Sequence, residues 1–419
     1  AAPPYYMRNY SNGDTVETSV TIPLDTANSL CQGCTDYLSN RKGELQMKVI
    51  SVDSNTYPIR LNYSRPFYED SATQWFFSED AIPLTAPKIV VTKGIEIKIS
   101  EPIQKSNLPW VYRNNAQFDL RCFGTDQGLI SETVTAIIQD DNGFYWFGTP
   151  TGLVRYDGKF SKTYTKKEGL PSEKITKLCL NNGNIWVGTE DAGVFRLDGK
   201  TLLHVPIDSI APGRTVEDMA FDSQGKLWFT IRFGGVANFD GKELKSFGPE
   251  QGIYISRPCP ELSIDKQDRV WVVGYGVGLY KIENDSTCFF PSETGYNTSY
   301  TPCIHIDQKG AKWFGSFGNE FTVIKDDSLY NYTILGENLN LGGSFRTAEE
   351  KNGRIWLLTG TSGVVSIEDD MATTYNQDHG MPGKYANSIF VDDENIVWTG
   401  FDKGGIARLN PDSYLALNK

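Results

Sequence analysis

The sequence predicts an all-β chain: a seven-bladed β-propeller with a smaller, sandwich-like β-rich domain at its N-terminus. Three observations carry this reading. Seven of the nine tryptophans recur at a nearly fixed interval, and turn-forming residues stand at fixed offsets from them. The 40 glycines and the 12% aromatic content suit many short strands joined by tight turns.

The tryptophans are Trp146, Trp186, Trp228, Trp271, Trp313, Trp356 and Trp398, separated by 40, 42, 43, 42, 43 and 42 residues. A period of that length is one four-stranded propeller blade. Three residues before each tryptophan stand Gly143, Gly183, Gly225, Asp268, Gly310, Gly353 and Asn395, all types that tolerate positive φ. Six residues before stand Asp140, Asp222, Asp265, Asp307, Glu350 and Asp392, with Leu180 as the exception. A carboxylate there accepts backbone N–H groups and starts the turn. Seven residues after stand Gly193, Gly235, Gly278, Gly363 and Gly405, with Gly152 one place earlier and Glu320 breaking the pattern.

Each unit reads as four strands. In the first, VTAIIQD is the inner strand, FYWFGT the second, GLVRYD the third and FSKTYT the outer one. Asp157-Gly158, Asp198-Gly199 and Asp240-Gly241 mark the hairpin between third and outer strands. The seventh unit supplies only three strands before Pro411, and residues 118–123 resemble an outer strand. They are expected to complete the last blade and close the ring. The domains are therefore expected at 1–112 and 113–419. In the first, TVETSVTIPL, GELQMKVISV, YPIRLNY and KIVVTKGIEIKIS are strand-like, and PIQKSNLPWVYRNNAQ reads as a linker.

The repeats resemble the two-component regulator propeller family. The resemblance rests on GLISETVTAIIQDDNGFYWFGTPTGLVRYDGKFSKTYT and EGLPSEKITKLCLNNGNIWVGTEDAGVFRLDGK, and it extends more weakly to Asn410, over roughly two-thirds of the chain. It implies an extracytoplasmic setting, because such repeats commonly form the sensor of hybrid histidine kinases in Bacteroidota and also occur in surface proteins. This chain departs in having one ring of seven repeats, with none of the sandwich, membrane helix and kinase that follow in that family.

The net charge of −12 repels phosphate backbones and excludes nucleic acid as an expected partner. No apolar run reaches the length of a membrane span. The chain begins at Ala1 rather than methionine, as expected of a processed or trimmed protein, so that any export signal or lipid anchor is out of view. The seven cysteines include a lone pair, Cys31 and Cys34, with no second pair to make a zinc ribbon. His204, His305 and His379 are scattered, so no metal site, cofactor or catalytic residue is expected.

The informative surface is the face where second-to-third strand turns and blade-to-blade connections emerge around the channel. Repeats three to five are expected to place Arg214, Arg232, Phe233, Tyr254, Arg257, Tyr275, Tyr296, Tyr300 and Phe317 there. Arginine and tyrosine mark binding surfaces, and a glycan or protein ligand fits them. Repeats one and two place Glu132, Glu173, Glu190 and Asp191 on the same face. The expected function is a non-catalytic extracytoplasmic recognition module in the periplasm or at the cell surface, lipid-anchored or not, and the family resemblance adds the sensor part of a signalling system as one form of it. The alternatives are a subunit of a cell-envelope or secretion assembly, docked through its N-terminal domain, and a propeller lyase or hydrolase. A lyase would need a general base of shifted pKa near the channel mouth.

Overall fold

In the computed structural model the described residues are 18–23, 44–53, 60–74, 82–83, 88–112, 119–211, 215–248, 253, 261–274, 278–283, 286–290, 303–315, 320–325, 328–334, 346–359, 363–368 and 371–412. Before residue 88 the description is of backbone pairing alone.

Seven antiparallel sheets follow the tryptophan period. Blade one is Ala136–Gln139, Tyr145–Thr149, Gly152–Tyr156 and Phe160–Tyr164, paired in that order from the inside out. The other blades repeat it, with second strands at Asn184–Thr189, Leu227–Ile231, Val270–Gly274, Lys312–Gly315, Ile355–Leu358 and Val397–Phe401. Adjacent blades meet through apolar clusters that each draw on two sheets. One joins Trp186 and Phe195's neighbour Val194 to Val216, Met219 and Phe229 of the next blade. The ring closes as expected: Asp119–Phe123 pairs antiparallel with Ile406–Asn410, from Ile406↔Phe123 to Asn410↔Asp119.

The fixed offsets have local physical causes. All seven residues three before a tryptophan have positive φ, from +60° at Asp268 and Asn395 to +93° at Gly353. The carboxylate six before, which in the five aspartates caps the turn through one oxygen, does more. Its second oxygen accepts the indole N–H, at 2.8 Å in Trp146–Asp140, 3.0 Å in Trp228–Asp222, 2.8 Å in Trp313–Asp307 and 2.7 Å in Trp356–Glu350. Trp271–Asp265 and Trp398–Asp392 do the same at 2.8 Å. Blade two explains its own exception. There Asn181 pairs with Asn184 around Asn182 and Gly183, both at positive φ, which is a two-residue primed turn. Leu180 is thus a strand residue opposite Ile185, and Arg196 lies over the Trp186 ring instead. The glycines that begin third strands sit against the outer strand. A Cβ at Gly235 would lie 2.1 Å from the Phe247 carbonyl oxygen, and one at Gly363 2.1 Å from that of Tyr375.

The N-terminal strands pair with the ring rather than with one another over residues 82–112. Ile103–Ser106 adds a fifth strand to blade one, Ile95–Lys98 to blade two, Lys88–Val91 to blade three and Ile82–Pro83 to blade four. Val111–Tyr112 pairs with Asp119–Phe123 of blade seven. Arg60–Gln74 pairs with the outer strand of blade five over Phe67–Gln74 and with that of blade six at Arg65 and Pro66. Residues 60–112 therefore pass all seven blades, in the order six, five, four, three, two, one, seven, opposite to the order of the blades in the chain. Every outer edge is covered by this girdle. Thr18–Pro23 and Glu44–Asp53 form an antiparallel meander on Arg60–Gln74.

The described part of the segment expected as a linker, residues 102–112, belongs to the girdle. Trp110 donates its indole N–H to the Tyr156 hydroxyl at 2.7 Å, and its ring packs on Phe123, Tyr156 and Trp398. Val90, Ile97 and Ile99 pack inward on the blades. Ile89, Val91, Ile95, Ile103, Leu108 and Val111 face outward and are exposed.

Candidate functional site: the channel mouth

The start of each inner strand lies beside the end of the second strand. Val216 pairs with Ile231, Ile175 with Thr189, Glu261 with Val273, Thr347 with Leu357 and Ala386 with Phe401. The second-to-third strand turns therefore open at the same end of the channel as the inner-strand starts. This end is the mouth.

Two of the nine expected face residues are described, and both stand here. Arg232 and Phe233 form the turn between Leu227–Ile231 and Gly235–Phe239. The Arg232 backbone N–H donates to the Thr215 carbonyl at 2.9 Å, and its guanidinium forms a close ion pair with Glu217. Phe233 has φ +55° and is 45% exposed. Among the described residues the other positive-φ residues that are not glycine are Asn182, Asp268 and Asn395. Those side chains tolerate the left-handed region, whereas a phenylalanine there is strained. Arg214, Tyr254, Arg257, Tyr275, Tyr296, Tyr300 and Phe317 lie outside the described residues, as do Cys31, Cys34 and Cys259.

The acidic residues expected on blades one and two tie loops together. Glu132 accepts from the Thr125 hydroxyl at 2.6 Å and Glu173 from the Lys166 backbone N–H at 2.9 Å. Lys174 pairs with Glu190 at 3.4 Å, and Ser172 donates to Asp191 at 2.5 Å. His204 sits 2.6 Å from the Ala192 carbonyl in an outer strand, and His379 lies in the short turn Gln377–His379.

Beneath the turns lies a charged layer that the sequence reading did not single out. It is built from residues at or near the starts of inner strands: Lys177 of blade two, Asp218 of blade three, Glu261 of blade four and Arg346, just before the inner strand of blade six. Lys177 Nζ lies 2.5 Å from Asp218 Oδ1. The Arg346 guanidinium lies 3.5 Å from Glu261 Oε1 and 4.0 Å from Asp218 Oδ1. A side chain beside blade six thus meets two carboxylates from blades three and four, so the network spans the channel. Asp218 is also held by the backbone N–H groups of Met219 at 2.9 Å and Leu262 at 3.0 Å.

Burial pushes the Glu261 carboxyl up to about 8; the nearby Asp218 adds to this, while Arg346 and Lys177 oppose it. Burial likewise pushes the Cys303 thiol far up, with Glu261 contributing, so this cysteine is an inert thiol rather than a nucleophile. Inner strands shift register by one residue at this level in blades two, three and seven, between Ile175 and Lys177, Val216 and Asp218, and Ala386 and Ser388. Such bulges re-aim side chains. The signal available in the sequence was positional. Asp218, Glu261 and Arg346 each stand ten residues before a blade tryptophan, and Lys177 nine before, in the blade with the shorter hairpin.

Among known proteins, the model of the two component regulator propeller family matches residues 128–151 and 169–191. The search of curated proteins finds no match. Among solved structures, the extracellular domain assigned to the hybrid two component system BT3049 of B. thetaiotaomicron is 19% identical, with a TM-score of 0.57. The match covers 71% of this chain and 42% of that one. Virginiamycin B lyase from Staphylococcus aureus is 16% identical with a TM-score of 0.56, over 70% of this chain and 99% of the lyase. A structure of YCF48 bound to D1 peptide is 15% identical with a TM-score of 0.52, over 73% of this chain and 98% of that one. At these identities the likeness is one of fold. This chain accounts for less than half of the BT3049 domain. Among the described residues no helix is long and apolar enough to cross a membrane. With the tryptophan period and the closed ring, the chain is a seven-bladed β-propeller, and its first two blades carry the match to the two component regulator propeller family.

Proposed function

We propose that the chain is a non-catalytic recognition module that works outside the cytoplasm and engages a glycan or protein ligand at the channel mouth. The observation that carries this reading is Phe233: an exposed aromatic ring on a strained backbone, beside an arginine braced by a buried carboxylate. Strain of this kind persists where the surroundings enforce it, and it concentrates at ligand-contacting turns. An aromatic face and a guanidinium fork suit sugar rings and peptides alike. The extracellular domains that share the fold support the setting, and YCF48 with its peptide supports the use of such a ring for binding. The test is a calorimetric screen of acidic and neutral glycans and extended peptides against the wild type and Phe233→Asp. A ligand whose affinity is unchanged in that variant would remove the mouth from the account.

A second reading, an accessory subunit of a cell-envelope assembly, is favoured by the girdle. Six of its large apolar side chains point outward, Val91 being 79% exposed. An exposed apolar band of this kind marks a protein contact. Val91→Lys with Ile103→Lys should abolish co-purification with such a partner while leaving ligand binding at the mouth intact; retention of the partner would exclude the rim.

A further inference from the structure

We propose that the charged layer of the channel mouth is an oxyanion site, at which Lys177 and Arg346 receive a carboxylate or sulfate group of the ligand, with Arg232 as the next cation at its rim. This rests on the mouth being the recognition face. The carboxylates of the layer are the buried members: Asp218, Glu217 and Glu261 keep 5%, 10% and 13% of their side-chain surface. The cations keep 27% at Lys177, 24% at Arg346 and 39% at Arg232. Within this layer the cations are therefore the accessible members, in a chain whose net charge is −12.

The buried carboxylates serve a second purpose. They hold the cations in place before a ligand arrives, so little side-chain entropy remains to be lost on binding. Asp218 is itself fixed by two backbone N–H groups from different blades. An arginine fork and a lysine point charge from opposite sides of the channel are a chemically complete set for a planar carboxylate or a sulfate. The layer also responds to pH. The groups facing Glu261 are Arg346, Asp218 from blade three, Lys177 from blade two and the neutral Cys303 thiol beside blade five. With Glu261 protonated, Lys177, Arg346 and Asp218 leave one net positive charge. Ionisation of Glu261 cancels it, so oxyanion binding weakens as pH rises.

Calorimetry with sodium sulfate, sodium glucuronate and glucose, at about pH 6.5 and about pH 9.5, tests this on the full chain. The expected result is binding of sulfate, glucuronate or both at the lower pH and a loss of about tenfold at the higher. Sulfate alone would assign the site to sulfate groups, and glucuronate alone to carboxylates. Lys177→Met should weaken the anion about tenfold at the lower pH, with an unchanged far-ultraviolet dichroism spectrum. Glu261→Gln, which imitates the protonated acid, should bind equally at both pH values. Absence of oxyanion binding at either pH, or binding untouched by Lys177→Met, overturns the proposal. If a neutral ligand binds and is lost on Phe233→Asp, the mouth remains the recognition face and only its oxyanion chemistry is refuted.

Discussion

The indole N–H of Trp271 donates to Asp265 Oδ2 at 2.8 Å, while Oδ1 of the same carboxylate accepts the backbone N–H groups of Gln267 at 3.1 Å and Arg269 at 3.0 Å. One side chain therefore joins the hairpin turn to the ring that packs between blades. The six-residue spacing is set by this geometry, because the turn must bring its carboxylate over the indole two strands' ends away. Asp265→Ala should destabilise the protein by about 2–3 kcal/mol, since it leaves a buried indole N–H and two turn amides unsatisfied. Trp271→Ala should cost about 3–5 kcal/mol through lost packing. Urea denaturation of both variants measures this.

Gly405 stands just before the third strand of blade seven, Ile406–Asn410, at φ +75°, where a Cβ would lie 2.3 Å from the Phe123 carbonyl oxygen of the closing strand. Gly158 has φ +95° with open space around it. Gly405→Ala should therefore cost about 2–4 kcal/mol and Gly158→Ala only about 1 kcal/mol, because both carry backbone strain but only the first collides. Equal losses in thermal unfolding would mean that closure does not depend on this contact.

The girdle should contribute stability through its inward residues. Trp110→Ala should cost about 2–4 kcal/mol, as it removes a packed indole and its bond to Tyr156. Leu108→Ser, at a residue 59% exposed, should change stability by less than about 0.5 kcal/mol. Removing residues 1–112 should expose the outer edges of the blades, seen as faster hydrogen exchange in Thr201–Val205 and Glu243–Phe247.

Stability should fall on the alkaline side because of Glu261. Its folded pKa, about 8, is raised above the ordinary carboxyl value of 4.5, so between these limits the native state holds a proton that the unfolded chain has lost. The stabilisation is full below about pH 4.5 and is lost as pH rises through about 8. Glu261→Gln should flatten the midpoint of urea unfolding between about pH 5 and pH 9 relative to the wild type. An identical pH profile in the variant would show that Glu261 is ionised throughout.

The ring was legible because its signal is repeated. Trp146 alone means little, but seven tryptophans in register with positive-φ turns leave one architecture, and the missing fourth strand of the last blade pointed to residues 118–123, of which 119–123 pair there. The girdle was not legible. KIVV, IEIK and IQKS are short runs that any sheet edge accepts, and alternation says which face is buried but not which strand lies alongside. Their spacing, with strands beginning at Lys88, Ile95 and Ile103, matches one strand and one crossing per blade, but it acquires meaning only once the blades are in place. The charged layer was hidden for a related reason. Lys177, Asp218, Glu261 and Arg346 are far apart in sequence and meet only where four blades face the channel. The position of Arg232 and Phe233 at the mouth was legible because their turn has a fixed offset from Trp228.

The most direct test of the mouth as the recognition face is hydrogen exchange with and without a ligand from the glycan and peptide screen. Protection is predicted at the Arg232–Phe233 turn and at the inner-strand starts around Lys177, Asp218, Glu261 and Arg346. Protection confined to the girdle at residues 88–112, with the mouth unchanged, would contradict the account.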